Sequence, residues 1–347
     1  MEKIIRMGWL FLCCILPSSI FCNERHSKEN NFCNKEFCCN KKCEKQSCAQ
    51  DNLVHFLAIS DMHISTDSID PDGMYYKKNL VPQMINYIQA QNIQAVLIPG
   101  DMTHGGFVPD KAAGNNALFK RIWYDPLKSA MIAKGWTAQT IFYTIGNHDV
   151  DAKRWPRYTA ISDEMSTLYT GTDFNNSLIN WFEYPRCDNF CYTFDRGCVR
   201  FISLGLGPWK YSLDRRLSWY FGALKPWAGS LVWLKRLLAQ TDKTKPLVFF
   251  FHFPLVDNYM SYDPAEVCPL ALPPDDIEAF KNMTAGHNVR LIVVGHTHEN
   301  RVSDFNGIAQ INVSGMRFAH MAIDENTYEV IGDWVDKNGK IEHMNLQ

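Results

Sequence analysis

Short, almost wholly apolar runs recur along the chain, and each of them stops at a knot of polar residues. Leu53-Val54-His55-Phe56-Leu57-Ala58-Ile59 runs into Ser60-Asp61-Met62-His63, and Ala95-Val96-Leu97-Ile98 runs into Pro99-Gly100-Asp101-Met102-Thr103-His104. Thr140 to Ile145 leads to Gly146-Asn147-His148-Asp149, Leu247 to Phe251 to His252, and Leu291 to Val294 to Gly295-His296-Thr297-His298. Runs of this length, rich in branched and aromatic residues and bounded by turn formers, predict buried strands.

Helical periodicity fills the spaces between them. Asn79 to Gln91 places Leu80, Met84, Tyr87 and Ile88 on one face, and Ser230 to Thr241 does the same with Leu231, Leu234 and Leu238. Leu118 to Lys134 reads as a helix despite Pro126. Phe190 to Phe194 and Val199 to Leu204 predict a hairpin turning at Asp195-Arg196-Gly197, while Ile308 to Val313 and Tyr328 to Val335 predict closing strands. Trp155 to Asn180 is a mixed loop and helix segment, and no period repeats. Strands alternating with helices early, followed by neighbouring strands late, predict an α/β (α+β) domain with two packed sheets.

The N-terminus departs from this pattern. Lys3 and Arg6 precede an apolar run, Met7 to Leu16, that Pro17-Ser18-Ser19 breaks, which is the order of a secretory signal peptide over residues 1–22. The run is too short to span a bilayer, and no later stretch reaches the length of a membrane helix. Residues 23–52 form a polar leader holding Cys33, Cys38, Cys39, Cys43 and Cys48, and the domain occupies residues 53–347 with Cys187, Cys191, Cys198 and Cys268. In an exported chain such crowding favours disulfides over a zinc knot, whose paired Cys-x-x-Cys units are missing. The expected location is therefore extracellular, periplasmic or within the secretory pathway. A net charge of −2 gives no basic footprint for nucleic acid. Oligomeric state is not legible.

The polar knots carry the chemistry. One histidine at a strand end says little, but five strand ends bearing carboxylate, amide and imidazole groups are hard to account for structurally, since each uncompensated buried polar group costs about 1–3 kcal/mol. Oxygen and imidazole donors without thiolate suit zinc, manganese or iron. A pair of divalent ions needs a bridging carboxylate and serves hydrolytic displacement at phosphorus.

The order Asp-x-His, Gly-Asp, Gly-Asn-His-Asp, His, Gly-His-Thr-His resembles the calcineurin-like metallophosphoesterases, over Leu53 to Arg301 and on into the closing strands. The resemblance implies a four-layer sandwich, with two packed mixed β-sheets flanked by helices, and two divalent ions (Mn, Fe or Zn). Asp61, His63, Asp101 and His298 would hold the first ion; Asp101, Asn147, His252 and His296 would hold the second. It further implies hydrolysis of a phosphodiester or phosphomonoester by a hydroxide bridging the ions, with His148 protonating the leaving oxygen. Asp149 either orients that ring or caps a turn.

Within the family, His104 stands where purple acid phosphatases carry a tyrosine ligand, and Asp149 where calcineurin-type protein phosphatases have glutamate. The sequence is most similar to the cyclic-nucleotide phosphodiesterase-like group. His104 and Arg154, with Arg157 and Lys210, are weak candidates for substrate phosphate against a default reading as solvated surface. The aromatics of Gly205 to Trp233 (Trp209, Tyr211, Trp219, Tyr220, Phe221, Trp227 and Trp233) offer a stacking platform or, as the favoured reading, a loop core. Asn175, Asn282 and Asn312 begin glycosylation sequons. The alternatives are a phosphomonoesterase or nucleotide phosphatase on the same metals, and a non-catalytic binding protein that uses the cysteine-rich leader.

Overall fold

In the computed structural model, the described residues are 52–65, 79–103, 114–115, 117–136, 140–144, 146, 148–149, 191–204, 230–256, 272 and 274–346. All of them belong to one compact unit, Ser47–Gln347. The signal segment, nearly all of the leader, and the cysteines Cys187 and Cys268 lie outside them.

Strands β1 (Leu53–Ala58), β2 (Ile93–Pro99) and β3 (Ile141–Thr144) form the parallel half of the first sheet. β10 (Arg317–Asp324), β11 (Val330–Asp336) and β12 (Ile341–His343) extend it antiparallel, in the order β12-β11-β10-β1-β2-β3. The second sheet has the order β4-β5-β6-β7-β9-β8. It contains β4 (Tyr192–Arg196), β5 (Val199–Ser203), β6 (Leu247–Phe250), β7 (Val289–Val294), β8 (Arg301–Phe305) and β9 (Ile308–Asn312).

Why these strands are apolar throughout is plain from what covers them. Phe201, Val248, Phe250, Leu291 and Val293 point into a core shared with the first sheet. Their neighbours Ile202, Phe249, Phe251, Ile292 and Val294 point to the other face, against α3 (Ser230–Gln240) and α4 (Pro274–Thr284). Strands buried on both faces lose the alternation of a half-exposed sheet. Two further helices, α1 (Leu80–Ala90) and α2 (Asp125–Ala133), pack with the shared core. The result is the two-sheet, helix-flanked sandwich expected from the sequence.

Three local outcomes differ from the sequence reading. The Leu118 to Lys134 helix carries a π-helical turn over Lys120–Tyr124, and Pro126, which has no N–H to give the ladder, follows that turn in the first turn of α2. The hairpin turns later than predicted, at Gly197 and Cys198, because β4 continues through Arg196. Arg196 is buried with its Nε donating to the Gln94 carbonyl and its guanidinium on the rings of Phe142 and Phe194. Asp195 is ion-paired to Arg200 and Lys245, so two residues that look like turn formers are strand residues. The Ile308 and Val330 strands stand as expected, whereas β8, β10, β12 and α4 had no counterpart in the sequence reading.

Candidate metal centre

Parallel pairing brings the C-terminal ends of β1, β2 and β3 together on one sheet, and those of β6 and β7 on the other. The polar knots follow those ends directly. The backbone there is bent out of the ordinary: Asp61, His63, Asp101, His296 and His298 all have positive φ, between 46° and 76°. For residues with a Cβ this left-handed region is sparsely populated and strained, by about 1–3 kcal/mol each. Hydrogen bonds between the knots hold it, including Asp61 N to the Gly100 carbonyl, His63 N to the Asp101 carbonyl and Gly295 N to the His252 carbonyl.

The side chains converge in two sets that share Asp101. Donor atoms of Asp61, His63, Asp101 and His298 lie within 4.8 Å of one another, and so do those of Asp101, His252 and His296. In the first set His63 Nε2 is 3.5 Å from Asp101 Oδ2 and 2.9 Å from His298 Nε2, and His298 Nε2 is 3.6 Å from Asp61 Oδ1. In the second, His252 Nε2 is 3.2 Å from Asp101 Oδ2 and 3.2 Å from His296 Nδ1. Asp61 and Asp101 are each 1% exposed and His252 is fully buried, whereas His298 is open to solvent, so the centre has a dry floor and a wet rim.

Its electrostatics ask for positive charge. Burial, followed by the neighbouring Asp101 charge and against the pull of His252, pushes the Asp61 carboxyl up to about 7. Burial would raise Asp101 as well, but His252, His63 and His148 around it hold its carboxyl well below the usual range. Asp101 in turn lifts the His252 imidazole to about 9, against the effect of burial. The donor geometry makes the same demand: His252 Nδ1 lies 2.9 Å from the Pro99 carbonyl, which fixes the proton of the neutral ring on Nδ1. In that neutral form Nε2 presents a lone pair to the buried Asp101 Oδ2, 3.2 Å away. A neutral His252 facing the Asp101 carboxylate calls for a metal cation between them, whereas the protonated ring bridges the gap with its own N–H; a histidine anchored through its other nitrogen is the usual form of a metal ligand. The donor set fits two divalent ions.

Around this floor the packing leaves no slack. A Cβ on Gly146 would run into the Asp101 carboxylate, so the glycine is there for space rather than for a left-handed turn. Gly100 needs both, with φ of 91° and a notional Cβ 2.7 Å from Gly146 N and 2.8 Å from His252 Nδ1. Asp149 is fully buried and accepts from the backbone N–H of Met102, Thr103 and Gly146 and from the Thr103 hydroxyl. It therefore ties the knot after β2 to the knot after β3, which is the capping role of the two considered. His148 donates its backbone N–H to Asp101 Oδ1 at 2.8 Å, and its half-buried ring meets the His63 ring edge-on at 4.5 Å.

Of the expected site residues, Asp61, His63, Asp101, His148, His252, His296 and His298 come together here. Asn147, His104 and Arg154 lie outside the described residues, as do Arg157, Lys210 and the aromatics of residues 205–229. Trp233 is described, and it is a buried core residue on α3. Two residues of the predicted Ile308 to Val313 strand, Gln310 and Asn312 (the second also read as a glycosylation sequon), are buried amides bonded to the loops that carry His252 and His296.

The model of the calcineurin-like phosphoesterase family matches residues 54–300. Comparison with curated proteins returns no match. Among solved structures, a dimetal phosphatase from Danio rerio is similar at 14% identity and a TM-score of 0.50, over 85% of this chain and 99% of that one. A purple acid phosphatase from yellow lupin is similar at 14% identity and a TM-score of 0.51, over 85% of this chain and 53% of that longer one. At these identities the two structures speak for the fold.

Proposed function

The chain belongs to the calcineurin-like phosphoesterase family and is a hydrolase of phosphoester bonds, and from that premise we propose an exported phosphodiesterase that works with two divalent ions. The observation that carries the reading is the sharing of Asp101 between the two donor sets, because one carboxylate with a partner on each side is what a pair of ions requires. Asp61, His63, Asp101 and His298 would hold one ion, and Asp101, Asn147, His252 and His296 the other. Manganese, iron and zinc all suit these donors. Held there, such ions neutralise charge on the phosphoryl oxygens and lower the pKa of water to near neutrality.

The chain's own contribution is orientation and proton transfer. The Pro99 carbonyl fixes the tautomer of His252, and the two backbone-to-carboxylate hydrogen bonds from His296 N at 3.0 Å fix the Asp61 carboxylate. His148, whose backbone N–H bonds Asp101 and whose ring meets His63 edge-on, would donate a proton to the leaving oxygen; its position beside the candidate ligands supports that role. Diester preference is supported by the motif after β2 and by Asp149, which differ from the purple acid and calcineurin-type patterns. Export rests on the Lys3, Arg6 and Met7 to Leu16 pattern; an N-terminus near Asn23 on the mature protein would support it.

The test is turnover of a bis-aryl phosphodiester against the aryl monoester by metal-stripped protein given Mn²⁺, Fe²⁺ or Zn²⁺. Faster diester hydrolysis with two ions bound per chain is the expected result. Faster monoester hydrolysis would replace the reading with a phosphomonoesterase, and absence of both turnover and bound metal would end it.

A further inference from the structure

The loop that follows His252 is buried without belonging to a sheet. Phe253 is 1% and Leu255 5% exposed, so the peptide groups between them are cut off from water and have no ladder to join. Buried backbone donors and acceptors must be paired nonetheless. Gln310, on β9 and fully buried, supplies what a neighbouring strand would have supplied. Its Oε1 accepts from Leu255 N at 2.8 Å and from Val256 N at 3.3 Å, and its Nε2 donates to the Val256 carbonyl at 3.0 Å.

The same Nε2 also donates to Asn312 Oδ1 at 3.0 Å, and Asn312 Nδ2 donates to Thr297 Oγ1 at 3.0 Å. Thr297 stands between His296 and His298. Gln310 and Asn312 are two residues apart on one strand and so project to the same face of the sheet. A continuous chain of amide hydrogen bonds therefore runs from the loop carrying His252 to the loop carrying His296 and His298. Its members are amides and a hydroxyl, whereas the candidate metal sets are built from carboxylates and imidazoles.

We propose that Gln310 and Asn312 are positioning residues for the metal centre, clamping the His252 loop and the His296-Thr297-His298 loop in one fixed relation. This rests on the two-ion reading of the site. Loss of an outer partner of a metal ligand typically costs 10–100-fold in metal affinity or activity. The clamp acts on both imidazoles of the Asp101–His252–His296 set, but on only one ligand, His298, of the other set. Weakening should therefore fall mainly on one of the two ions. The clamp also removes Asn312 from use as a glycosylation site, since its amide nitrogen is fully buried and engaged.

The experiment titrates Mn²⁺ into metal-stripped full-length protein by calorimetry, alongside the melting temperature of the metal-free form and diester turnover. The variants are Gln310→Met, which keeps the volume and removes the amide, and Thr297→Val with its conservative control Thr297→Ser. We expect Gln310→Met and Thr297→Val to weaken one of the two ions by 10–100-fold and leave the other within about twofold, with turnover at limiting Mn²⁺ falling in parallel. Thr297→Ser should restore both affinities. Should Gln310→Met fail to fold, the Thr297 pair, at a partly exposed position, decides the matter alone. Two affinities unchanged in Thr297→Val, or a lower metal-free melting temperature with unchanged affinities, would overturn the positioning role. A parent protein that takes up no Mn²⁺ would instead overturn the two-ion reading on which the role rests.

Discussion

His148 and Asp149 are adjacent in sequence, yet the site uses them in different ways. The His148 ring stands at the rim against His63, while Asp149 is sunk beneath it and accepts four hydrogen bonds. His148→Ala should therefore lower kcat by about 10²–10⁴-fold while leaving Mn²⁺ affinity unchanged, as judged by steady-state kinetics beside calorimetry. A parallel loss of metal would show that the ring holds an ion rather than moves a proton. Asp149→Asn keeps the shape but turns one acceptor into a donor. At least one of the N–H groups of Met102, Thr103 and Gly146 then loses its partner, and urea unfolding of the metal-free protein should show a loss of about 1–3 kcal/mol. The ligand types were legible in the sequence because an apolar run ending in Asp, His or Asn is conspicuous. The five positive φ angles that aim those side chains were not, since strain at Asp61, His63, Asp101, His296 and His298 depends on loops meeting from strands far apart in sequence.

Elements were legible where burial was symmetrical and obscure where it was not. The doubly covered strands β2, β6 and β7 announce themselves as unbroken apolar runs. β10 pairs with β1 through the middle of the first sheet and escaped notice because Arg317 and His320 interrupt its apolar residues. His320 on β10 lies in a row with Asp333 on β11 and His343 on β12, and His55 on β1, paired with Ala322, sits diagonally beside it. His55 Nδ1 is 3.2 Å from His320 Nε2, Asp333 Oδ2 is 3.7 Å from His320 Nδ1, and the Tyr87 ring of α1 packs on His320 from above. Burial, then the facing His55, pushes the His320 imidazole down to about 4 against the pull of Asp333. Unfolded, it would titrate near 6.5. Between these values the unfolded chain binds more protons, so the contribution to stability is complete above pH 6.5 and is lost as the pH falls toward 4. In urea unfolding, His320→Gln should lose less stability than the parent between pH 7 and pH 5, by roughly 2 kcal/mol. Equal losses would mean that His320 is charged in the folded protein.

At the scale of the whole molecule, the candidate metal centre is a joint between sheets. Asp61, His63 and Asp101 follow strands of the first sheet, and His252, His296 and His298 follow strands of the second. Nothing in a linear sequence states that these ends meet. It follows only from parallel pairing within each sheet and from a shared core that presses the two sheets together. Ions bound to that joint stabilise the folded state alone, by about 2.7 kcal/mol at a hundredfold excess over Kd. In domains of 150–250 residues each kcal/mol is worth about 2–4 °C, so chelation should lower Tm by several degrees, reversibly on return of Mn²⁺. The distribution of the effect is the sharper measurement. Hydrogen exchange should slow on metal binding at the C-terminal ends of β1 and β2 and, to a comparable degree, at those of β6 and β7, because both sheets supply residues of the candidate donor sets. Protection confined to one sheet would mean that the ions are held by that sheet alone and that the shared carboxylate of Asp101 does not bridge them. An unchanged Tm under chelation would mean that the charge deficit at Asp61 and Asp101 is met by protons instead of metal.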